Sequence, residues 1–275
     1  MSLTLMFITN DIDIAKIAQE AGVDRIWVDM EWIGKDERQK GLNTVKSHHT
    51  VADVQKLRPF VTNSKLMVRI NPIHSNTKNE IEEVINAGAD IIMLPMFKTV
   101  NEVEFFLKCV HGRTKTILLI ETIEAASIVD DLVKIKGIDE FHIGLNDLSL
   151  AMKKPFMFDL LRDGVVDEII ERLKISGKPY GFGGIARIGK GMVPSEYVIK
   201  EHYRLGSSLA ILSRSFANVK IEKNLDVLKE LFIKGVRDIR EEETKCLKMS
   251  QNDFIENKKQ IDKMIDKIDL GLSHE

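Results

Sequence analysis

The stretch "VINAGADIIMLPM", residues 84–96, holds a helix end and a strand start side by side. Its first half finishes an amphipathic segment, and Gly88 can take the left-handed conformation that ends a helix. The Ile-, Met- and Leu-rich run that follows suits a parallel strand buried on both faces. The same unit recurs as "AQEAGVDRIWVDM" (18–30), "VKIKGIDEFHIGL" (133–145) and "HYRLGSSLAILS" (202–213). Working outward from these units gives eight strands, at 3–8, 25–30, 66–70, 91–95, 117–121, 140–145, 180–185 and 209–213. Helical patterns such as "NEIEEVINAG" and "VVDEIIERLKISG" separate them, and Asn10, Thr99 and Ser195 stand where N-caps belong.

Strict β/α alternation on this scale predicts an α/β fold of the (β/α)8 TIM-barrel type with an extra C-terminal helix. A doubly wound open sheet would show fewer strands and a G-x-G-x-x-G after the first one, which is absent. The barrel is expected over residues 1–248 and a helical extension over 249–275. That extension carries Phe254, Ile261, Met264, Ile265 and Ile268 at helical spacing. Such a stripe needs covering, either by its own barrel or by a neighbouring subunit.

The composition is that of an ordinary globular chain, 44% apolar and 30% charged over 275 residues. A formal net charge of −2 gives no electrostatic case for nucleic acid or an anionic membrane as partner. Cys109 and Cys246 lack metal-ligand spacing, and a chain of this size needs no disulfide framework. "MSLTLMFITND" has no basic n-region or cleavage site, and no apolar run reaches the ~18 residues of a membrane span. A cytoplasmic location is the expectation.

In a barrel, chemistry sits at the C-terminal ends of the strands. Those positions here are Asp29 and Glu31, Arg69 and Asn71, Glu121, Asp147, and Ser213 and Arg214. Glu121 and Asp147 come from neighbouring strands, and two carboxylates with water make a hard oxygen site for Mg2+ or Mn2+. The plainer alternative has Asp147 capping a helix and Glu121 pairing with Arg69. Arg69 can aim its fork at a substrate carboxylate or keto oxygen, or serve as a rim ion pair. The glycines of "GFGG" (181–184) and "IGKG" (188–191) offer a weak phosphate-nest signal. His142 reads as a barrel-core residue and His74 as a loop residue. His48 and His49, at the end of the long polar connection 31–49, can reach the active face and work as a base.

Taken in order, "DRIWVDMEW", "VRINP", "AGADIIMLPM", "ILLIET" and "FHIGLNDLSLAM" resemble the HpcH/HpaI aldolase and citrate lyase β-subunit family. The likeness runs well over residues 3–185 and loosely beyond. It implies a metal-dependent lyase on a (β/α)8 barrel, a homo-oligomer (trimer or hexamer) whose last helix is exchanged between subunits. It implies Glu121 and Asp147 as metal ligands and Arg69 as the residue that binds a keto acid and stabilises its enolate. It also implies a helix start around Leu148 and Ser149 that receives the substrate carboxylate. Glu31 closes the "D-x-E" of the second strand and joins the catalytic set. The family's aldolases place a histidine directly after that motif, where this sequence has Trp32. "HTVADV" (49–54) resembles the histidine-led start of the family's next helix, so His49, with His48 behind it, is expected to act as base through a metal-bound water.

The leading expectation is therefore a class II aldolase handling a small keto acid. A citrate-lyase-like or malyl-thioester lyase is the second reading, and a non-catalytic barrel binding an acidic metabolite the third.

Overall fold

Eight parallel strands close on themselves in sequence order, so every strand pairs with its neighbours in the chain and β1 with β8. They are β1 (Thr4–Ile8), β2 (Arg25–Asp29), β3 (Lys65–Arg69), β4 (Ile91–Leu94), β5 (Lys115–Ile120), β6 (Glu140–Ile143), β7 (Tyr180–Ile185) and β8 (Leu209–Leu212). The computed structural model describes residues 2–34 and 49–271. Each expected strand is present, and the (β/α)8 barrel with a C-terminal helix is the fold.

Alternation along the strands divides the apolar residues into two cores. Met6, Trp27, Met67, Ile91, Met93, Ile117, Leu119 and Leu209 fill the barrel interior. Leu5, Phe7, Ile26, Val28, Leu66, Val68, Ile92 and Leu118 face outward and pack under the helices. At the N-terminal end of the interior, Arg25 of β2 makes a buried two-pronged pair with Glu140 of β6, at 2.6 and 2.8 Å. His142, one layer above Glu140, is buried with Nε2 against the Gly183 carbonyl at 3.2 Å. Burial lowers its pKa from 6.5 to about 4.

The helices are stopped and started by the chemistry the sequence advertises, with local exceptions. Thr99 forms a capping box with Glu102, as expected. The first helix, Ile12–Glu20, is capped by Asp11, whose carboxylate accepts the amides of Asp13 and Ile14. Asn10 instead donates to Asp53 at 3.1 Å. Ser195 lies just inside its helix, after Pro194, and its hydroxyl donates to the Ala186 carbonyl.

The C-terminal helix, Gln251–Asp269, lays Phe254, Ile261 and Ile265 against the helix Ser195–Leu205 and the short helix Asp159–Arg162 of its own chain. Polar bonds fix its register: Asn257 donates to the Tyr197 carbonyl and to Glu201, and Arg162 pairs with Asp266 and Asp269.

Candidate active site

Register brings the polar strand ends together. Asp29 and Arg69 are direct partners across β2 and β3, so their side chains leave the sheet side by side. Asp29 accepts from Arg69 Nε at 2.8 Å and from Nη2 at 2.9 Å, and Glu31 stands 3.3 Å from the same Nη2. Below the pair, the Trp27 ring lies 5.1 Å from the guanidinium. Burial alone would lower the arginine's pKa. Asp29 and Glu31 more than reverse that, so the guanidinium is held firmly protonated.

On the opposite wall, Glu121 extends from the end of β5 and is almost wholly buried. Met96, held at φ 53°, turns its amide onto Glu121 Oε1 at 3.1 Å. Gly144 follows β6, and its amide donates to the Ile120 carbonyl, which sets it level with Glu121. A Cβ on residue 144 would stand 2.8 Å from both Cβ and Oε2 of Glu121. Burial, then repulsion from Glu31 and Asp147, pushes the Glu121 carboxyl well above the usual range, against the pull of Arg69 and the Met96 amide. Glu31, Glu121 and Asp147 thus share one electrostatic centre. Glu121 and Asp147 also line a cavity of about 420 Å3 with Met96, Lys98, Thr122 and Leu150.

Asp147 sits in the first turn of the helix Leu145–Ala151, whose N-cap is Gly144 with no side-chain cap. Ser149 does not close this helix end; its hydroxyl donates to the Asn146 carbonyl at 2.8 Å. The helix begins earlier than the sequence implied, so the Leu148 amide is already bonded to the Gly144 carbonyl at 3.1 Å.

His49 meets the site from the other side of β2. That strand outruns β1, and beyond their last paired residues His49 Nδ1 accepts the Asp29 amide at 3.1 Å. While it does so, the neutral ring carries its proton on Nε2 and offers a donor. To act as base the ring must leave that amide. His48 lies outside the described residues. Trp32 is 64% exposed and, with Met30, His49, Asn71, His74 and Glu80, lines a second cavity of about 510 Å3.

Several contributors were not legible as such in the sequence. Glu80 accepts from the backbone and side-chain amides of Asn71, while Asn71 Oδ1 accepts the amides of Trp32 and Ile33. This chain of bonds anchors the backbone directly after Glu31. The glycines in and after β7 do not form the phosphate nest that the sequence suggested. Gly181 lies against the Leu209 backbone, Gly183 against Leu145, and the Gly189 amide is taken by the Glu196 carboxylate at 2.8 Å.

The donor set suits a hard divalent cation. A buried carboxylate raised by like charges is relieved by a cation, and the missing Cβ of Gly144 leaves space at Glu121 Oε2. Among the described residues no three His, Cys, Asp or Glu side chains are gathered as a ready-made metal cage, so water would complete the shell.

A sequence model of HpcH/HpaI aldolase/citrate lyase matches residues 3–159, more than half of the chain and the part that carries Arg69, Glu121 and Asp147. The chain belongs to the HpcH/HpaI aldolase/citrate lyase family. It is thus a lyase-type enzyme by family. No curated protein matches it. Among solved structures it resembles the HpcH/HpaI aldolase/citrate lyase family protein from Burkholderia cenocepacia J2315, with 14% identity, 87% of this chain and 95% of that one covered, and TM-score 0.60. The HpcH/HpaI aldolase from Desulfitobacterium hafniense DCB-2 is similar at 15% identity, 87% and 93% coverage and TM-score 0.57. The citrate synthase SbnG is similar at 18% identity, 83% and 94% coverage and TM-score 0.60. At these identities the HpcH/HpaI likeness to solved structures concerns the fold.

Proposed function

We propose that this chain is a divalent-metal-dependent carbon–carbon lyase of the class II aldolase type. It would cleave or form a 4-hydroxy-2-keto acid through a pyruvate-like enolate. The observation that carries the reading is the meeting of a fixed guanidinium, Arg69, with a buried, charge-crowded carboxylate, Glu121.

Glu121 and Asp147 are the residues that would hold the Mg2+ or Mn2+. Such an ion, when bound, acts as a Lewis acid on the keto oxygen of the substrate. Arg69 is held by Asp29 and Glu31 before any substrate arrives, so its positive charge meets a developing enolate oxygen at no reorganisation cost. Glu31 keeps Nη2 of that arginine in place. His49, once its ring leaves the Asp29 amide, takes the proton from the 4-hydroxyl as the bond between C3 and C4 breaks. The first turn of the helix Leu145–Ala151, ahead of Leu148 and Ser149, is where the substrate carboxylate would lie. A homo-oligomer, trimer or hexamer, is part of the proposal, and a small keto acid is the partner.

Pyruvate release from a panel of 4-hydroxy-2-keto acids, after chelation and with Mg2+ or Mn2+ added back, tests the reading. Intact metal binding with no release across the panel would sink it. A citrate-lyase-like or malyl-thioester lyase is the second reading. It is favoured by Trp32, exposed where the family's aldolases carry a histidine. Thioester cleavage without pyruvate release would establish it instead.

A further inference from the structure

A third cavity, about 510 Å3, opens between the ends of β1 and β8. His49 forms part of its wall, so the cavity borders the proton-transfer position of the reaction proposed above. Its polar lining comes from Thr9 and Asn10 after β1, and from Ser213, Arg214, Lys220 and Lys223 in the loop after β8. The carboxylate in this lining, Asp11, is already engaged with the amides of Asp13 and Ile14. Lys223 Nζ donates to the Val219 carbonyl at 3.0 Å, which fixes that ammonium on the loop and leaves further N–H donors to face a ligand. Phe7, Ile14 and Ala217 supply apolar walls beside the cations, and low-dielectric walls focus such a field.

We propose that this cavity is the acceptor subsite, and that the aldehyde partner carries a phosphate group. The inference rests on the aldol reading and adds the class of the second substrate. A carboxylate is satisfied by one arginine fork, whereas spaced ammonium groups suit a dianion with three acceptor oxygens. Loops after the last strands are also where barrels commonly seat phosphate. In the turn after β7 the Gly189 amide is already taken by Glu196, whereas the loop after β8 brings Lys220 and Lys223 to the cavity wall. An aldehyde seated here has its phosphate at Lys220 and Lys223 and its reactive end toward His49.

The test compares D-glyceraldehyde 3-phosphate with D-glyceraldehyde as acceptors for pyruvate, using wild type and the double variant Lys220→Ala/Lys223→Ala. Glycerol 3-phosphate binding is measured calorimetrically beside glycerol, and circular dichroism verifies that the variant is folded. The expected result is a preference of about tenfold or more in kcat/KM for the phosphorylated aldehyde, falling toward parity in the variant and with added salt. Glycerol 3-phosphate should bind wild type and lose about tenfold or more in affinity in the variant. Equal use of the two aldehydes, equal preference for succinic semialdehyde, or glycerol 3-phosphate binding that the variant leaves intact would each overturn the proposal. Exchange of pyruvate methyl protons with D2O, without any aldehyde, reads the aldol chemistry separately. Its absence would remove the lyase reading, while the glycerol 3-phosphate measurement still decides the cavity.

Discussion

Glu121 and Gly144 are in contact at a point where no side chain fits: a Cβ on residue 144 would lie 2.8 Å from Glu121 Oε2. Gly144→Ala should therefore push the carboxylate aside while leaving the barrel folded. Metal affinity is expected to fall roughly 10–100-fold, the range seen when groups that orient ligands are altered. Calorimetric titration with Mn2+ against wild type measures it, and unchanged affinity would separate Glu121 from the metal.

The raised pKa of Glu121 predicts proton release on metal binding. Burial and the charges of Glu31 and Asp147 favour its protonated form, and a cation needs the ionised one. Apparent Mg2+ or Mn2+ affinity should rise with pH. Titrations in two buffers of different ionisation enthalpy should show protons released, and Asp147→Ala should diminish both the release and the affinity.

Removing one partner of Arg25–Glu140 should be costly, because the other is left charged inside the barrel. Glu140→Gln is expected to destabilise the fold by about 3–5 kcal/mol in urea unfolding. The double variant Arg25→Met/Glu140→Leu should recover most of that loss.

His142 and His202 are buried neutral, with burial lowering their pKa values from 6.5 to about 4 and about 3. Between those values and 6.5 the unfolded chain binds protons that the folded one does not. Their stabilising contribution is whole above pH 6.5 and is lost as pH falls through the window. Each histidine should cost about 1.4 kcal/mol per pH unit there. Denaturation midpoints from pH 7 to 4 should show the slope, and His142→Gln should reduce it.

His49→Ala should lower carbon–carbon cleavage about 10^2- to 10^4-fold, the usual worth of general acid–base catalysis. Mn2+ affinity should change little. Wild-type cleavage in the variant would move the base to another residue.

The barrel was readable because its repeat is written into the chain: in four units an amphipathic segment ends in glycine and an apolar run follows. Arg69, Glu121 and Asp147 stood out by position: Arg69 ends β3, Glu121 follows β5, and Asp147 lies in the first turn of the helix after β6. What could not be read depends on register or on which of two neighbours wins. Asp29 becomes Arg69's partner only because β2 and β3 align those two residues. Asp11 displaces Asn10 as a cap because its carboxylate reaches two amides. The helix after β6 starts at Leu145, which spends the Leu148 amide internally, and no composition signal separates the two starts. Nothing around Gly144 in the sequence signals its constraint, because the neighbour that meets it, Glu121, is 23 residues away in the chain but one strand over in space.

Trp27, Met67, Ile117 and Leu209 stop the barrel from within, and Arg25 with Glu140 closes the far end. The interior is thereby a cul-de-sac. A proton surrendered at the rim has no route down the axis and must leave by the mouth through which substrate entered. Glu31, beside Arg69, and His49, on the Asp29 amide, both stand at that mouth, so the same two residues attend both kinds of traffic.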